Sequence, residues 1–425
     1  MNKVLKHINV SKLFILLNYV ALFTGLLNTY FRPKFFERYF SSSNFAFLLL
    51  IFGYAVYLTF LDGGVSKPFY AVLRAAFVKK GQADKKLLIQ AFSFYNIVFL
   101  VALLLFFLLL LGVSLFVPTS LGMGILFLLA LHLVLNFQLL NYKHVLQAVD
   151  AYEFYQKLEV LRRLINLGML LSLLVDPSLL TGSAIANILL LVLVWKVHKQ
   201  QGVSLNQLSF YKAVNCYRTY FPMAKNFFLF TVNETLIYNS GFILVPLFFG
   251  EREIIVFGLL LTVYNGVALF SRSIIDMSIH EITKSYLEGN TRKSKKVFSY
   301  SLLVSGVITL LMFTGIYLLA SPIFSVWVGT EYLFSDAMFI GILIFLLGNV
   351  LQHVSGTFLL SVNNNYKTMK KMSFWILLGI AISQLLICWF QKSLEYFFVV
   401  TAVIYALGSF VYFVKAQQQY ALNKT

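Results

Sequence analysis

Apolar stretches of about twenty residues recur along the whole chain and constrain its architecture more than any other feature. They lie at about 13–31, 45–61, 87–117, 121–140, 158–175, 179–197, 227–249, 254–276, 297–319, 337–360, 374–390 and 396–414. A helix needs about twenty apolar residues to cross a bilayer, and it satisfies its backbone hydrogen bonds internally. The pattern predicts an all-α, polytopic membrane protein with about twelve transmembrane helices.

Composition agrees with a membrane location and limits the classes of molecule that the protein could bind. Of the 425 residues, 60% are hydrophobic and 12% are charged, whereas about a quarter of the residues in a soluble domain are charged. The net charge of +18 would suit nucleic acid, anionic lipid or an anionic substrate. We expect no nucleic acid, because no soluble domain is present to carry a binding surface.

Neither the cysteines nor the histidines form a known ligand pattern. Cys216 and Cys388 give no disulfide framework, and the six histidines lack Cys, Asp or Glu at a metal-binding spacing. No nucleophile–base constellation is visible either. We therefore expect no cofactor, no metal and no catalytic residue.

Lysine and arginine are distributed asymmetrically between the two sets of loops, which predicts the orientation. If the N-terminus lies inside, the cytoplasmic loops receive nearly all of these residues, and both termini are cytoplasmic. The first outer loop is the exception, with Arg32, Lys34 and Arg38. The first apolar stretch is too long for a signal peptide and lacks a small-residue cleavage site, so we expect it to be retained.

The middle of the chain divides the spans into two equal groups. Six apolar stretches precede residues 197–221 and six follow, and both groups begin on the same side. We predict an N-terminal six-helix bundle at 1–196, a cytoplasmic amphipathic linker at 197–221 and a C-terminal six-helix bundle at 222–425. The two bundles would be related by a pseudo-twofold axis along the membrane normal.

Arg272 and Asp276 lie one helical turn apart near the end of the eighth span. An ionisable residue inside a bilayer costs about 2.5–3.5 kcal/mol on insertion scales, so it is normally turned toward protein or a watery cavity. Arg272 is the leading candidate for binding an anionic substrate. It would equally fit an ion pair with Asp276 or snorkelling to the interface. Asp276 could itself respond to protons or sodium.

Span seven carries a carboxylate and a polar stripe. Glu234 lies in the middle of the span, and Asn226, Asn233 and Ser240 are seven residues apart and share one face. The stripe is predicted to line a cavity, with Asn233 binding substrate, or to make hydrogen bonds between packed helices. Glu234 is the first candidate for an ion-coupling carboxylate.

Four basic residues lie at the predicted cytoplasmic ends of spans two and seven, namely Lys67, Arg74, Arg218 and Lys225. As substrate-binding residues they would form a basic mouth that captures an anionic cargo. As orientation signals they would contact anionic lipid instead. Two polar pairs, His132 with Asn136 in span four and Asn349 with His353 in span ten, are predicted to hold helices together.

Four segments resemble a known family of transporters. They are Leu61–Ala76 (LDGGVSKPFYAVLRAA), Val145–Leu164 (VLQAVDAYEFYQKLEVLRRL), Phe257–Asn290 and Gly356–Lys371 (GTFLLSVNNNYKTMKK). They are similar to helix-end patterns of the O-antigen and capsular polysaccharide flippases in the multidrug/oligosaccharidyl-lipid/polysaccharide (MOP) exporter superfamily. The chain departs from these relatives at Asn239, where they often carry an acidic residue.

The resemblance implies a transporter, not an enzyme, with a cavity between two lobes that opens alternately to each side. The implied cargo is an undecaprenyl-diphosphate-linked oligosaccharide crossing the bacterial inner membrane. Implied partners are this lipid-linked oligosaccharide, membrane lipids, a coupling ion such as H⁺ or Na⁺, and other membrane proteins of polysaccharide assembly.

Two other classes of protein compete with the flippase. A multidrug antiporter of the same superfamily usually needs acidic residues in its N-terminal lobe, and spans one to six hold almost none away from their ends. A polysaccharide polymerase or ligase typically works through a large outer loop, and the outer loops here are predicted to be short. A flippase for peptidoglycan precursors usually has two further spans.

Overall fold

Helices cover all twelve predicted spans. The computed structural model describes residues 12–80, 84–149, 151–175, 180–200, 208–363 and 366–422, which contain no strand. The α-helices are α1 Lys12–Tyr39, α2 Ser42–Tyr54, α3 Ser66–Lys80, α4 Lys85–Phe116, α5 Met123–Ala148, α6 Tyr152–Val175, α7 Leu180–Gln200, α8 Phe210–Asn239, α9 Gly241–Phe248, α10 Glu251–Leu287, α11 Thr291–Leu318, α12 Ala320–Trp327, α13 Asp336–Asn363, α14 Tyr366–Trp389 and α15 Leu394–Leu422. Short 3-10 helices at Ala55–Phe60 and Thr330–Tyr332 complete the set. The predicted all-α architecture is confirmed.

Eight helical segments of the described chain are long and apolar enough to cross a membrane, and a broken helix pair makes a ninth. The broken pair is α8 with α9, which are bent by 40° at Ser240. Pro246 weakens the second piece, because it cannot donate a backbone hydrogen bond to the carbonyl of Phe242. The other three predicted spans are the helices α1, α6 and α7, which are more polar or shorter.

The predicted linker is largely helical where the structure describes it. Helix α7 extends to Gln200 and α8 begins at Phe210, while residues 201–207 lie outside the described residues. The first turns of α8 thus use Phe210–Phe221 to continue directly into the seventh span.

The chain separates into two compact units. The first contains Met1–Phe40 and Tyr54–Phe228, and the second contains Ser41–Gly53 and Leu229–Thr425. Helix α2 belongs to the second unit, where the Ser43 hydroxyl donates to Glu251 Oε1 at 2.8 Å and the Phe45 ring packs edge-on against Tyr332. The contacts divide the chain at 40/41, 53/54 and 228/229. The predicted boundaries of the two six-helix bundles, at 196 and 222, stay a prediction.

A tight turn at 61–65 joins the second span to α3 within the first unit. Gly63 and Gly64 have φ angles of +58° and +69°, a region that side chains with a Cβ rarely adopt. The Gly64 amide donates to Asp62 Oδ1 at 2.7 Å, and burial raises the pKa of this carboxyl. The glycine pair in LDGG is therefore required by the backbone of the turn.

Aromatic packing closes one end of the second unit. Ile282, Phe298, Phe358 and Tyr420 are buried together, and the rings of Phe358 and Tyr420 stack at 4.6 Å. Beside this cluster the Ser294 hydroxyl donates to the Ile282 carbonyl at 2.8 Å and lies 2.9 Å from the Tyr420 hydroxyl, so both polar groups have partners. The cluster joins α10, α11, α13 and α15.

Replacing Gly64 with Ala should destabilise the protein by about 1–2 kcal/mol, the cost of placing a Cβ in the left-handed region. The added Cβ would also lie 3.2 Å from Phe228 Cα, which is backbone and cannot move aside cheaply. Thermal unfolding in detergent micelles measures the loss. Gly306→Ala is the control, because nothing lies within 4 Å of its added Cβ; equal unfolding temperatures for both variants would contradict this account of the turn.

Candidate functional site

Polar side chains from four helices converge inside the second unit. Helix α8 supplies Glu234 and Tyr238, α10 supplies Tyr264 and Arg272, α13 supplies Asn349 and Gln352, and α15 supplies Tyr405 and Tyr412. We call these eight residues the polar network. Their spacings of three, four, seven and eight residues place each helix's pair on one face. The network is therefore built from whole helix faces within otherwise apolar spans.

Arg272 is held by neutral groups. Its Nε donates to Asn349 Oδ1 at 3.2 Å and its Nη2 donates to the Tyr264 hydroxyl at 3.3 Å. The guanidinium carbon lies 5.8 Å from the centre of the Tyr238 ring, within the range of a cation–π contact. Arg272 is half-buried, whereas Tyr264 and Asn349 are buried. The side chain is thus oriented by the protein and keeps accessible surface.

Glu234, like Arg272, is held by hydrogen bonds to uncharged side chains of the polar network. Gln352 Nε2 donates to one of its carboxylate oxygens, and the Tyr412 hydroxyl donates to the other at 3.1 Å. Gln352 and Tyr412 are buried, while Glu234 is half-buried. Two uncharged donors therefore position a carboxylate inside a span.

Hydrogen bonds connect the carboxylate to the guanidinium. The Tyr238 hydroxyl donates to Gln352 Oε1 at 3.2 Å and lies 2.6 Å from the Tyr405 hydroxyl. Asn349 Nδ2 donates to the Tyr238 hydroxyl at 3.3 Å and to the Tyr405 hydroxyl at 3.4 Å. A hydroxyl can both donate and accept, so reversing one bond reorients the next. Glu234 and Arg272 are thus joined by a continuous hydrogen-bonded path through Gln352, Tyr238 and Asn349.

Asp276 belongs to α10, one turn beyond Arg272, and its side chain lies outside the described residues. The predicted ion pair between the two therefore stays a prediction. Among the described residues, the hydrogen-bond partners of Arg272 are Asn349 and Tyr264.

Asn233 faces a different helix from its neighbour Glu234. Its Nδ2 donates to the Lys370 carbonyl at 3.2 Å and to the Ser373 hydroxyl at 3.1 Å, both on α14. Ser240, seven residues later, also bonds to α14, where its hydroxyl donates to Gln384 Oε1 at 2.9 Å. Asn233 therefore joins α8 to α14, and Ser240 joins the break between α8 and α9 to α14, which is the interhelical alternative considered for them. A substrate-binding role for Asn233 stays a prediction.

The four basic residues of the predicted mouth all belong to the first unit, unlike Arg272, Asn233 and Glu234. Lys67 Nζ lies 4.4 Å from the centre of the Phe227 ring, and Arg74 Nη1 donates to the Ala148 carbonyl at 3.4 Å. Arg218 and Lys225 are exposed on α8. Lys67 is exposed like these two residues, whereas Arg74 is half-buried.

A second polar cluster, in the first unit, was missed as a site. Glu159 accepts hydrogen bonds from both Arg162 and Arg163, and Arg162 Nη1 also donates to Asn136 Oδ1 at 3.2 Å. Asn136 in turn bonds to His132 at 3.1 Å. The sequence treats both arginines as orientation signals. The spacing of i, i+3 and i+4 from Glu159 was the signal that could have found the cluster.

Solved transporter structures share this architecture. A chain described as an inward-facing multidrug resistance MATE family transporter of the MOP superfamily gives a TM-score of 0.63 at 11% identity, covering 98% of this chain and 96% of its own. A mutant of the Vibrio cholerae MATE transporter VcmN gives 0.61 at 15% identity, covering 97% of both chains. An outward-facing multidrug resistance MATE family transporter gives 0.52 at 11% identity, covering 97% and 96%. No protein-family model and no curated protein matches the sequence.

The chain has the fold of a MATE transporter. The MATE fold confirms the predicted all-α architecture with many apolar spans over nearly the full length. At 11–15% identity the similarity shows the fold alone, so the cargo has to be argued from the chain's own residues. The more specific resemblance to polysaccharide flippases stays a prediction.

Removing the hydroxyl of Tyr405 should weaken the polar network, because Tyr238 and Asn349 both use it. We expect Tyr405→Phe to lower stability by about 1 kcal/mol, the typical worth of a hydrogen bond in a membrane interior. Tyr396→Phe on the same helix is the control, since Tyr396 is 61% exposed. Unfolding of both variants at the same temperature would contradict a structural role for the network.

Proposed function

We propose that this protein is a flippase that carries an undecaprenyl-diphosphate-linked oligosaccharide across the bacterial inner membrane by alternating access. The observation that carries the proposal is Arg272, a half-buried guanidinium inside a span whose described partners are neutral. A cation held this way has charge and surface left for an anionic ligand. O-antigen and capsule repeat units are the cargoes of the family that the sequence resembles.

The chemistry of the cargo explains why an arginine is needed. A diphosphate cannot enter hydrocarbon alone, since removing water from its charges is prohibitive unless cations replace that water. The planar guanidinium can bond two phosphate oxygens at once, which an ammonium cannot. Tyr264 and Asn349 hold Arg272 in one orientation, so little side-chain entropy is lost when the anion binds.

Exposed basic residues would attract the cargo before it reaches Arg272. Arg218 and Lys225 are accessible on α8, and Lys67 and Arg74 add charge to the same unit. Each basic group near the cytoplasmic leaflet contributes roughly 1 kcal/mol of attraction toward anionic lipids. We place these ends, and both termini, on the cytoplasmic side, where membrane proteins of polysaccharide assembly would supply the cargo.

Glu234 would supply the coupling to H⁺ or Na⁺. When the carboxylate is ionised, Gln352 and Tyr412 donate to it, and the Tyr238–Tyr405–Asn349 bridge keeps Arg272 oriented. Binding of a proton or cation at Glu234 would remove the charge to which Gln352 and Tyr412 donate, and so would weaken the bonds that continue along this bridge. The grip on the diphosphate would then change with the state of the carboxylate, as a coupled transporter requires. Asp276 is the second candidate for this role.

A cation-coupled multidrug antiporter is the second candidate function. It is favoured by the neighbours themselves, since two of the similar structures are described as multidrug resistance transporters. In such a pump Glu234 would bind the organic cation, and Arg272 would repel it. The two functions therefore predict opposite roles for the same arginine.

Replacing Arg272 with Ala should reduce export of lipid-linked oligosaccharide by roughly 100-fold, because two to three charge-assisted hydrogen bonds to the diphosphate are lost. Arg272→Lys should keep part of the activity, because the positive charge remains. It should not keep all of it, because lysine lacks the planar guanidinium that bonds two phosphate oxygens at once. The measurement is the amount of surface polysaccharide and of lipid-linked repeat unit retained in the inner leaflet. Arg252→Ala is the control, as Arg252 is an exposed arginine on the same helix.

Full export by Arg272→Ala at equal protein level would remove this residue from the mechanism. Loss of the gene should leave repeat units on the cytoplasmic leaflet and remove the surface polysaccharide. Normal surface polysaccharide with new drug sensitivity would instead establish the antiporter.

Replacing Glu234 with Gln should abolish the dependence of transport on an ion gradient, because the amide cannot bind a proton or sodium in place of the carboxylate. Transport into proteoliposomes is measured with and without imposed proton and sodium gradients. Glu288→Gln, an exposed carboxylate on the loop side of α10, should keep the wild-type response. A gradient response that survives in Glu234→Gln would assign coupling to another group.

A further inference from the structure

Three charged groups of the first unit form a bonded triad on α6, consisting of Glu159, Arg162 and Arg163. Arg162 Nε and Nη2 donate to the two Glu159 oxygens at 2.8 and 2.7 Å, and Arg163 Nε donates to Oε1 at 2.6 Å. The Glu159 side chain is only 8% exposed. One carboxylate thus neutralises one of two guanidinium groups, and the triad keeps a net positive charge.

Stability alone is a poor reason for such a triad. Burying ions costs solvation that their attraction barely recovers, and replacing a buried ionic triad with apolar side chains can be neutral or stabilising. Two arginines around one two-oxygen acceptor are, on the other hand, a common way to bind phosphate. The carboxylate of Glu159 occupies the position that phosphate oxygens would take between the two guanidinium groups.

The two arginines differ in how firmly they are held. Arg162 is 13% exposed and is also bonded to Asn136, so its position is set from two sides. Arg163 is 31% exposed, and among the described residues Glu159 is the one that accepts its hydrogen bonds. Its guanidinium lies over Gly25 of α1, where even a Cβ would come within 1.9 Å of Nη1. Arg163 is therefore the more accessible side of the triad, although its guanidinium packs closely on α1.

We propose that Arg162 and Arg163 form a second site for a phosphate or diphosphate group, and that Glu159 is an internal competitor that occupies this site until the anion displaces it. This inference rests on the proposed function for its natural ligand, the diphosphate of the cargo. The triad lies at the end of the fifth span that the sequence predicts to be cytoplasmic, where cargo would be loaded. The ion pair would hold the arginines ready without leaving two unpaired charges in the span.

The test is titration of the purified full-length protein in detergent with inorganic pyrophosphate, measured by calorimetry. Glu159→Gln removes the competing charge and should lower the Kd for pyrophosphate roughly tenfold, the equivalent of one charge-assisted hydrogen bond. Arg163→Gln should raise the Kd by a similar factor. Lys415→Gln, an exposed basic residue on α15 outside both sites, should leave it unchanged.

Opposite effects of the Glu159 and Arg163 variants separate a binding site from a structural ion pair, which would respond equally to both losses. If Glu159→Gln is too unstable to titrate, its thermal unfolding with and without pyrophosphate decides the matter. The anion should then raise the unfolding temperature of this variant more than that of the wild type. Absence of that additional rise would overturn the proposal.

Further measurements distinguish cargo from membrane lipid as the source of the anion. They also distinguish failure of this inference from failure of the proposed function. Micelles carrying undecaprenyl diphosphate should show the same tenfold gain as pyrophosphate in Glu159→Gln. A gain seen with phosphatidylglycerol vesicles alone would overturn the cargo site in favour of a membrane-lipid contact. Pyrophosphate binding that is lost in Arg272→Ala but unchanged in the Glu159 and Arg163 variants would overturn this inference while leaving the proposed function intact.

Discussion

The cost of placing a charge inside an apolar helix bundle governs the organisation of this protein. Hydrocarbon offers no water, so each ionised group within a span must find hydrogen-bond partners on neighbouring helices or keep a surface open to a watery space. The polar network follows this rule in the second unit, where Tyr264 and Asn349 serve Arg272 and Gln352 and Tyr412 serve Glu234. The helices are therefore joined wherever a charge has to be supported.

Much of the fold and part of the site could be predicted from the sequence, because hydrophobic length and charge rarity are local properties. The twelve stretches became helices, and Arg272 and Glu234 are unusual inside any apolar stretch, so they could be singled out without structural information. Their partners could not be predicted. Tyr238 and Tyr405 are far apart in sequence and meet only when α8 packs against α15, whereas aromatic residues are common throughout the spans.

The arginines of α6 show where counting charges fails. The asymmetry of Lys and Arg predicts an orientation from the number of charges in each loop, but it takes no account of a carboxylate on the same helix face. Glu159 is one turn from Arg162 and Arg163 and pairs with both, so the two arginines belong to a triad around a buried carboxylate. Asn233 shows a second limit of sequence-based prediction. Helical periodicity places this residue on one face of α8, but it does not predict that this face packs against α14.

The two charged sites use opposite arrangements, and the difference bears on what each can do. In the second unit a carboxylate and a guanidinium are separated by neutral hydrogen-bonding groups, so neither occupies the hydrogen-bonding positions of the other. In the first unit the carboxylate contacts both guanidinium groups directly, so an anion must compete with it for the same bonds. Separation favours coupling between sites, since each group can bind its own ligand while the neutral bridge connects them. Direct contact favours selectivity, since only a ligand that offers more oxygens or more charge than a carboxylate can displace Glu159. A diphosphate meets that condition, and an organic cation does not.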